Sequence, residues 1–287
     1  MRIDLHAHST ESDGTDSPAG LIEAAVGAGL DVVALTDHDT TAGWAAAAAA
    51  VPPGLTLVPG AELSTVSADP VTGRQISVHL LAYLFDPASS AIVLEQARLR
   101  DERRTRLRRM AEKMAADGLP IDPDDVMDRL PPDAAGGRPH LAQALMRAGL
   151  VESVSHAFDS YLAKGSGYYV GREDTPIEHA IDMIAAAGGV TVIAHPFARS
   201  RGAVIRPETL AGLAAHGLTG VEIDHPDHDE PTRAELRGLA ADLGLLVTGS
   251  SDYHGTNKPT KIGAETTDPG VYEELVSRAT GSSVVVG

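Results

Sequence analysis

A chain of 287 residues has room for one large or two small domains, and 43% hydrophobic residues with only 3% aromatic require a core of Ala, Val, Leu and Ile. The absence of cysteine removes disulfides and thiolate ligands together, so any metal must be held by nitrogen and oxygen. A formal net charge of −17 excludes a surface built to coat long nucleic acid through its phosphates.

Short β-branched runs at residues 3–6, 31–36, 55–59, 75–83, 189–194, 220–223 and 243–248 predict seven strands. Amphipathic stretches at 18–28, 176–187, 207–216 and 230–243 separate most of them, several opening on a first-turn proline. Alternating strand and helix implies a parallel sheet. Residues 87–175 interrupt the pattern with helical composition alone, beginning with a long helix over 89–118. The expected organisation is therefore a barrel of residues 1–86 and 176–287 with a helical insertion of 87–175. Met1 to Asp4 lead straight into a histidine pair without an apolar stretch. The longest apolar run, 44–51, is too short to span a bilayer. A soluble, cytoplasmic chain with no membrane partner is expected.

The chemistry-bearing residues fall in or just after the strand candidates. In Asp4-Leu5-His6-Ala7-His8-Ser9 the alternate side chains share a face, so His6 and His8 can grip one cation. Asp13 follows. His38 lies in Asp37-His38-Asp39 behind the second strand; the flanking acids orient imidazoles, or Asp39 caps the next helix. Glu62 has oxygens enough to bridge two cations. His79 sits in an apolar strand, as a ligand or as a satisfied core histidine. His195, Asp252 and His254 complete six histidines and three carboxylates, too many for one ion and suited to two or three. Side chains from so many strands converge only if the strands form a ring with the site at its mouth, which favours a (β/α) barrel.

These residues assemble a resemblance. The ordered motifs Asp4-Leu5-His6-Ala7-His8-Ser9, Asp13-Gly14, Thr36-Asp37-His38-Asp39, Pro59-Gly60-Ala61-Glu62, Ala194-His195-Pro196 and Ser251-Asp252-Tyr253-His254 resemble those of the PHP (polymerase and histidinol phosphatase) family over essentially the whole chain. The resemblance implies an α/β fold, a distorted TIM-like (β/α)7 barrel, with a trinuclear centre of Mn, Fe or Zn. By position it places His6, His8, Glu62 and Asp252 around one ion, Asp13, His38 and His254 around a second, and Glu62, His79 and His195 around a third. It further implies a hydroxide bridging two ions as nucleophile. His225, in Asp224-His225-Pro226-Asp227-His228, resembles a position near the phosphate.

The insertion is similar to that of stand-alone nucleotide phosphoesterases, which implies a small phosphorylated substrate: AMP, a 3′,5′-nucleoside bisphosphate or the 5′ end of a short RNA. Arg100, Arg103, Arg138, His140 and Lys164 are the corresponding candidates for phosphate recognition. The arginines of the long helix have a second reading as a solvated face paired with Glu95, Asp101, Glu102 and Glu112. Competing functional readings are a histidinol-phosphate-type phosphatase, an amidohydrolase-like deaminase, and a non-catalytic metal-stabilised module.

Overall fold

The computed structural model describes residues 1–131 and 134–287. Its centre is a barrel-shaped sheet, nearly closed, whose main strands are β1 (Ile3–Asp4), β2 (Val32–Leu35), β3 (Thr56–Ala68), β4 (Gln75–Tyr83), β6 (Val190–Ala194), β7 (Gly220–Asp224) and β8 (Leu246–Gly249), hydrogen-bonded in that order. Two-residue strands β5 (Thr175–Pro176) and β9 (Val285–Val286) pair with β3 outside this path. All seven expected strands are present. Beyond the described ladders, an isolated parallel bridge between Ala7 and Tyr253 joins the ends of β1 and β8.

The sheet is not uniformly parallel, which corrects the expectation from strand and helix alternation. β3 runs on past residue 59 to Ala68 and pairs antiparallel with β4, which in turn pairs antiparallel with β6. The cause is the connection. Only residues 69–74 separate β3 from β4, too few for a crossover helix, and short connections make hairpins. Asp69 organises this turn by accepting from the N–H groups of Val71 (3.0 Å) and Thr72 (2.8 Å).

Helices α1 (Pro18–Gly27), α2 (Trp44–Ala50), α7 (Ile177–Ala186), α8 (Pro207–His216), α9 (Glu230–Leu243) and α10 (Pro269–Arg278) cover the barrel. Their starts are written locally. Pro18, Pro207 and Pro269 occupy first-turn positions, and Ser17, Asp229 and Asp268 accept from free N–H groups of the first turn. Between β4 and β5 lie α3 (Ser90–Ala116), α4 (Pro123–Asp128), α5 (Arg138–Arg147) and α6 (Val154–Ala157), the last continuing into one π-helical turn, Phe158–Leu162. Leu107, Met110, Met114, Leu141, Leu145 and Leu162 form a buried apolar cluster of their own among these helices. Among the described residues no helix is long and apolar enough to cross a membrane.

Candidate metal centre

The Ala7–Tyr253 bridge sets the geometry of the site. His8 N–H donates to the Tyr253 carbonyl at 2.8 Å and Tyr253 N–H to the His6 carbonyl at 3.3 Å. Pairing the middle residue of His6-Ala7-His8 with the middle residue of Asp252-Tyr253-His254 turns all four flanking side chains to one face. The Nε2 atoms of His6 and His8 come within 3.0 Å of each other, and both stand 3.4–3.5 Å from Asp252 Oδ1. Two nitrogens bound to one cation at about 2.0–2.1 Å lie roughly 3 Å apart, so this spacing suits a shared ion.

Glu62, inside β3 and 1% exposed, joins the remaining strands. Its Oε2 lies 3.3 Å from His6 Nε2, 3.2 Å from His8 Nε2 and 3.0 Å from His38 Nδ1. The other oxygen, Oε1, lies 2.8 Å from His79 Nδ1 and 3.2 Å from His195 Nε2. One carboxylate thus contacts five imidazoles, divided between its two oxygens. His254 Nε2 stands 3.2 Å from Asp13 Oδ1, and His38 Nε2 stands 3.7 Å from Asp13 Oδ2. Within ion-sharing distance the donors form three groups: His8, Asp13, His38 and His254; His6, His8 and Asp252; and His38, Glu62 and His79. These groups share His8 and His38 between them, while Glu62 also stands within 3.3 Å of His6 and His8 and 3.2 Å of His195, the neighbours that the resemblance implies for it.

Supporting residues aim these donors. Glu222 on β7, fully buried, accepts from His6 Nδ1 at 3.0 Å and from the His195 backbone N–H at 2.9 Å. A proton on His6 Nδ1 leaves the Nε2 lone pair facing the cluster. His254 Nδ1 likewise donates to the Asp252 carbonyl at 2.8 Å, freeing Nε2 toward Asp13. Asp37 accepts from Ser9 N–H, Ser9 Oγ and Ser12 Oγ at 2.6–2.8 Å, and so braces the loop behind His8 rather than an imidazole. Asp4 accepts from Ser251 Oγ (2.5 Å) and Gly263 N–H (2.7 Å), tying β1 to the loop that carries Asp252. Asp39, His195 and Asp252 hold positive φ angles of 54°, 30° and 52°. Non-glycine residues keep such backbone only where the surroundings impose it, and here all three adjoin the centre.

Four charged residues of this region were not singled out from sequence. Glu222 reads as ordinary alternation in Gly220-Val221-Glu222-Ile223; the available signal was a carboxylate in an otherwise apolar strand. Lys258, whose Nζ lies 2.5 Å from Asp252 Oδ2, follows the last motif by four residues in a segment without periodicity. Arg106, one of the long helix's arginines with the solvated reading, and Arg172, which no motif marks, line a cleft beside the centre.

The electrostatics are those of a cation site. Burial opposes charge on Glu62, Asp13 and Asp252, yet the surrounding imidazoles, and Lys258 at Asp252, hold all three well below the usual carboxylate range. Glu222 is lowered to about 2, burial being outweighed by His6, His225 and His195. Burial also opposes a proton on His6 and His8, but the carboxylates hold His6 well above its ordinary value and bring His8 up to about 9. Burial and neighbouring cations instead keep His38 well below its ordinary value and His254 at about 4. In the polypeptide alone, protons and Lys258 neutralise carboxylates that divalent cations would neutralise more fully. His38 Nδ1, buried and without a hydrogen bond despite its closeness to Glu62, is the matching orphan donor. The all-nitrogen and oxygen donor set fits divalent metal ions.

His225 is placed differently. Its Nδ1 accepts from Asp227 N–H at 3.0 Å, which puts the ring proton on Nε2, 3.3 Å from Asp252 Oδ2. In the polypeptide alone it is thereby a donor at the edge of the donor cluster.

The insertion candidates separate into several environments. Arg103 is buried, its Nε paired with Asp39 and its Nη2 donating to Ser64 Oγ at 2.7 Å. Asp39 therefore neither caps a helix nor orients an imidazole. Arg100 donates to the Asp39 carbonyl at 3.3 Å. Arg138 lies over the Phe158 ring and donates to the Leu162 carbonyl at 3.0 Å. His140 Nδ1 accepts from Gly137 N–H at 3.0 Å and closes the start of α5. Lys164 is exposed and makes no ion pair among the described residues. The solvated reading holds for Arg98 on Glu95 (2.6 Å) and Arg108 on Asp124 (2.7 Å).

Comparison with known proteins agrees with this geometry. No family model matches the chain. A 3′,5′-nucleoside bisphosphate phosphatase of Chromobacterium violaceum is 32% identical over 253 residues, 88% of this chain and 87% of the relative. A 5′-3′ exoribonuclease of Haemophilus influenzae is 33% identical over 257 residues, 88% of this chain and 90% of the relative. Among solved structures, a Bifidobacterium adolescentis protein described as a metal-dependent phosphoesterase superposes with a TM-score of 0.89 at 36% identity, covering 97% of this chain and 96% of its own. A Chromobacterium violaceum protein described as an amidohydrolase gives 0.84 at 30% identity, covering 98% of each chain. The chain belongs to the PHP family of metal-dependent phosphoesterases, enzymes that hydrolyse phosphoric esters.

Proposed function

We propose that this chain removes phosphate from a nucleotide phosphomonoester, AMP, a 3′,5′-nucleoside bisphosphate or a short 5′-phosphorylated RNA, with His6, His8, Asp13, His38, Glu62, His79, His195, Asp252 and His254 holding two or three divalent ions. The observation that carries the proposal is Glu62, whose two oxygens serve five imidazoles from four chain segments. Bound divalent ions would supply Lewis-acid polarisation of the phosphoryl group and water of lowered pKa. Four to six positive charges against the three carboxylates Asp13, Glu62 and Asp252 would make the pocket attract a dianion although the whole chain is strongly acidic.

The residues do the rest. The side of the site marked by His79, 25% exposed, leaves an approach for substrate, while His6, His8 and Glu62 are sealed. His225, with its proton on Nε2, donates to a phosphoryl or leaving oxygen, and Asp252 fixes its direction. Residues 87–175, through Arg138 and its neighbours, select the substrate.

The test loads the protein with Mn, Fe, Co or Zn and measures phosphate release from AMP, adenosine 3′,5′-bisphosphate and a 5′-phosphorylated dinucleotide. Release above that of a His6→Ala, His8→Ala variant supports the proposal, and its absence with every metal overturns it. Ammonia release from nucleobases without phosphate release would favour the deaminase reading. Replacing His225 by Asn is expected to lower kcat by roughly 10²–10⁴-fold with metal content unchanged by elemental analysis.

A further inference from the structure

Beside the metal centre the molecule gathers positive charge in its interior. Arg103, Arg106, Arg138 and Arg172 line one narrow cleft, together with the backbone of Gly137. Two of the four are neutralised: Arg103 by Asp39, and Arg172 by Asp174 at 2.5 Å. The other two make no ion pair among the described residues, although Asp13 exerts a favourable field at Arg138. Arg106 donates Nε–H to the Val170 carbonyl at 2.8 Å, and Arg138 donates to the Leu162 carbonyl. Both guanidiniums lie against the Tyr169 ring, at 5.0 and 5.8 Å from its centre. Arg106 Nη2 is buried and makes no hydrogen bond. Burial, with Arg138 and Arg172 alongside, brings Arg106 down to about 9, and burial brings Arg138 to about 10.

A half-buried cation without an ion-pair partner is costly, and two of them beside two paired arginines around a cleft favour an anion there. The forked donors match a tetrahedral oxyanion, and the narrow cleft admits no nucleoside as it stands. We propose that Arg106, Arg138 and Arg172 form a binding site for a phosphate dianion, bordering the metal centre and separate from it. The border is Gly137: a Cβ built there would lie 3.4 Å from Asp13 Oδ2. The occupant is either the second, unreacting phosphate of a substrate whose first phosphate meets the metals, or free inorganic phosphate. Only the substrate case rests on the phosphoesterase reading above.

The experiment measures thermal unfolding of chelator-treated protein with inorganic phosphate, so neither metal nor turnover enters the readout. Wild type is expected to gain about 5 °C or more at a hundredfold excess over Kd. His8→Ala should keep that gain, while Arg106→Met and Arg138→Met should lose it. Without phosphate, Arg106→Met should melt at or above wild type, since it removes a half-buried charge without an ion-pair partner; Arg106→Lys, which keeps the charge and loses the fork, is the second variant should the first fail to fold. No gain in wild type, or a full gain in the Arg106 and Arg138 variants, would overturn the site. With metal restored, the ratio of kcat/KM for adenosine 3′,5′-bisphosphate to that for AMP separates the sources. A fall of tenfold or more in Arg106→Met identifies the substrate's second phosphate, and an unchanged ratio with the thermal gain lost identifies free phosphate.

Discussion

Glu222 has no first-hand role among the donors, yet it receives His6 Nδ1 and the backbone N–H of His195 at once. Replacing it by Gln leaves shape intact but removes the charge that fixes the His6 proton, and such outer partners typically contribute 10–100-fold in metal affinity. Glu222→Gln should therefore weaken Zn binding by that range in a chelator competition titration, and should also lower the melting temperature of the metal-free protein, whose fold is favoured by the Glu222 charge. Protonation gives a second expectation. In the metal-free chain His8 stands at about 9, above its ordinary 6.5, so folding binds an extra proton between those values and stability falls as pH rises through them. His254 stands at about 4, so between 4 and 6.5 the unfolded chain binds more protons and stability rises with pH. Thermal melts of metal-free protein should peak near pH 6.5 and decline toward pH 9. Saturating metal should abolish the alkaline decline, because a cation then replaces the protons on His6 and His8.

At the scale of elements, α3 meets the barrel through one buried charged contact, Arg103 with Asp39, at 6% and 0% exposure. Arg103→Met strands Asp39 without a counter-ion and should cost about 3–5 kcal/mol in chemical denaturation; Asp39→Asn with Arg103→Met should recover much of that loss. This contact also shows where sequence reading stopped. The strands and the His-x-His and Asp-x-His pairs were legible because each depends on alternation within a few residues, and the other donor candidates because they fall in or after strands in the order of the family's motifs. The insertion's arginines were not, since outward Arg108 and inward Arg103 and Arg106 differ only in which face of α3 finds Asp39 and Tyr169, residues far off in sequence. The antiparallel β4 was half legible: the turn residues Asp69 and Gly73 were there, but β3 beyond Pro59 lacks the dense apolar run that marked the other strands. Glu222 and Lys258 gained meaning only when β7 and the final loop were set against β1.

For the molecule as a whole, the barrel's seam between β1 and β8 is closed by the Ala7–Tyr253 bridge and by ligands on either side of it. Chelation should consequently act on the seam first. The expected outcome is faster amide exchange at His8 and Tyr253 than in the loaded protein, with α3 unaffected, and a melting temperature that rises with added metal, by about 2.7 kcal/mol of stability at a hundredfold excess over Kd. Exchange that quickens equally in α3 and at the seam would argue against it.

The seam has a consequence for the protein's birth. Asp4 and Ser251, which hold the two halves of the site in register, lie 247 positions apart. At ribosomal speeds of about 5–20 residues per second, His6 and His8 emerge roughly 10–50 seconds before Asp252 and His254 can meet them. A nascent chain therefore carries only half of a chelating centre until residues 252–254 have emerged. The centre is complete only when the segment of Asp252 and His254 meets that of His6 and His8.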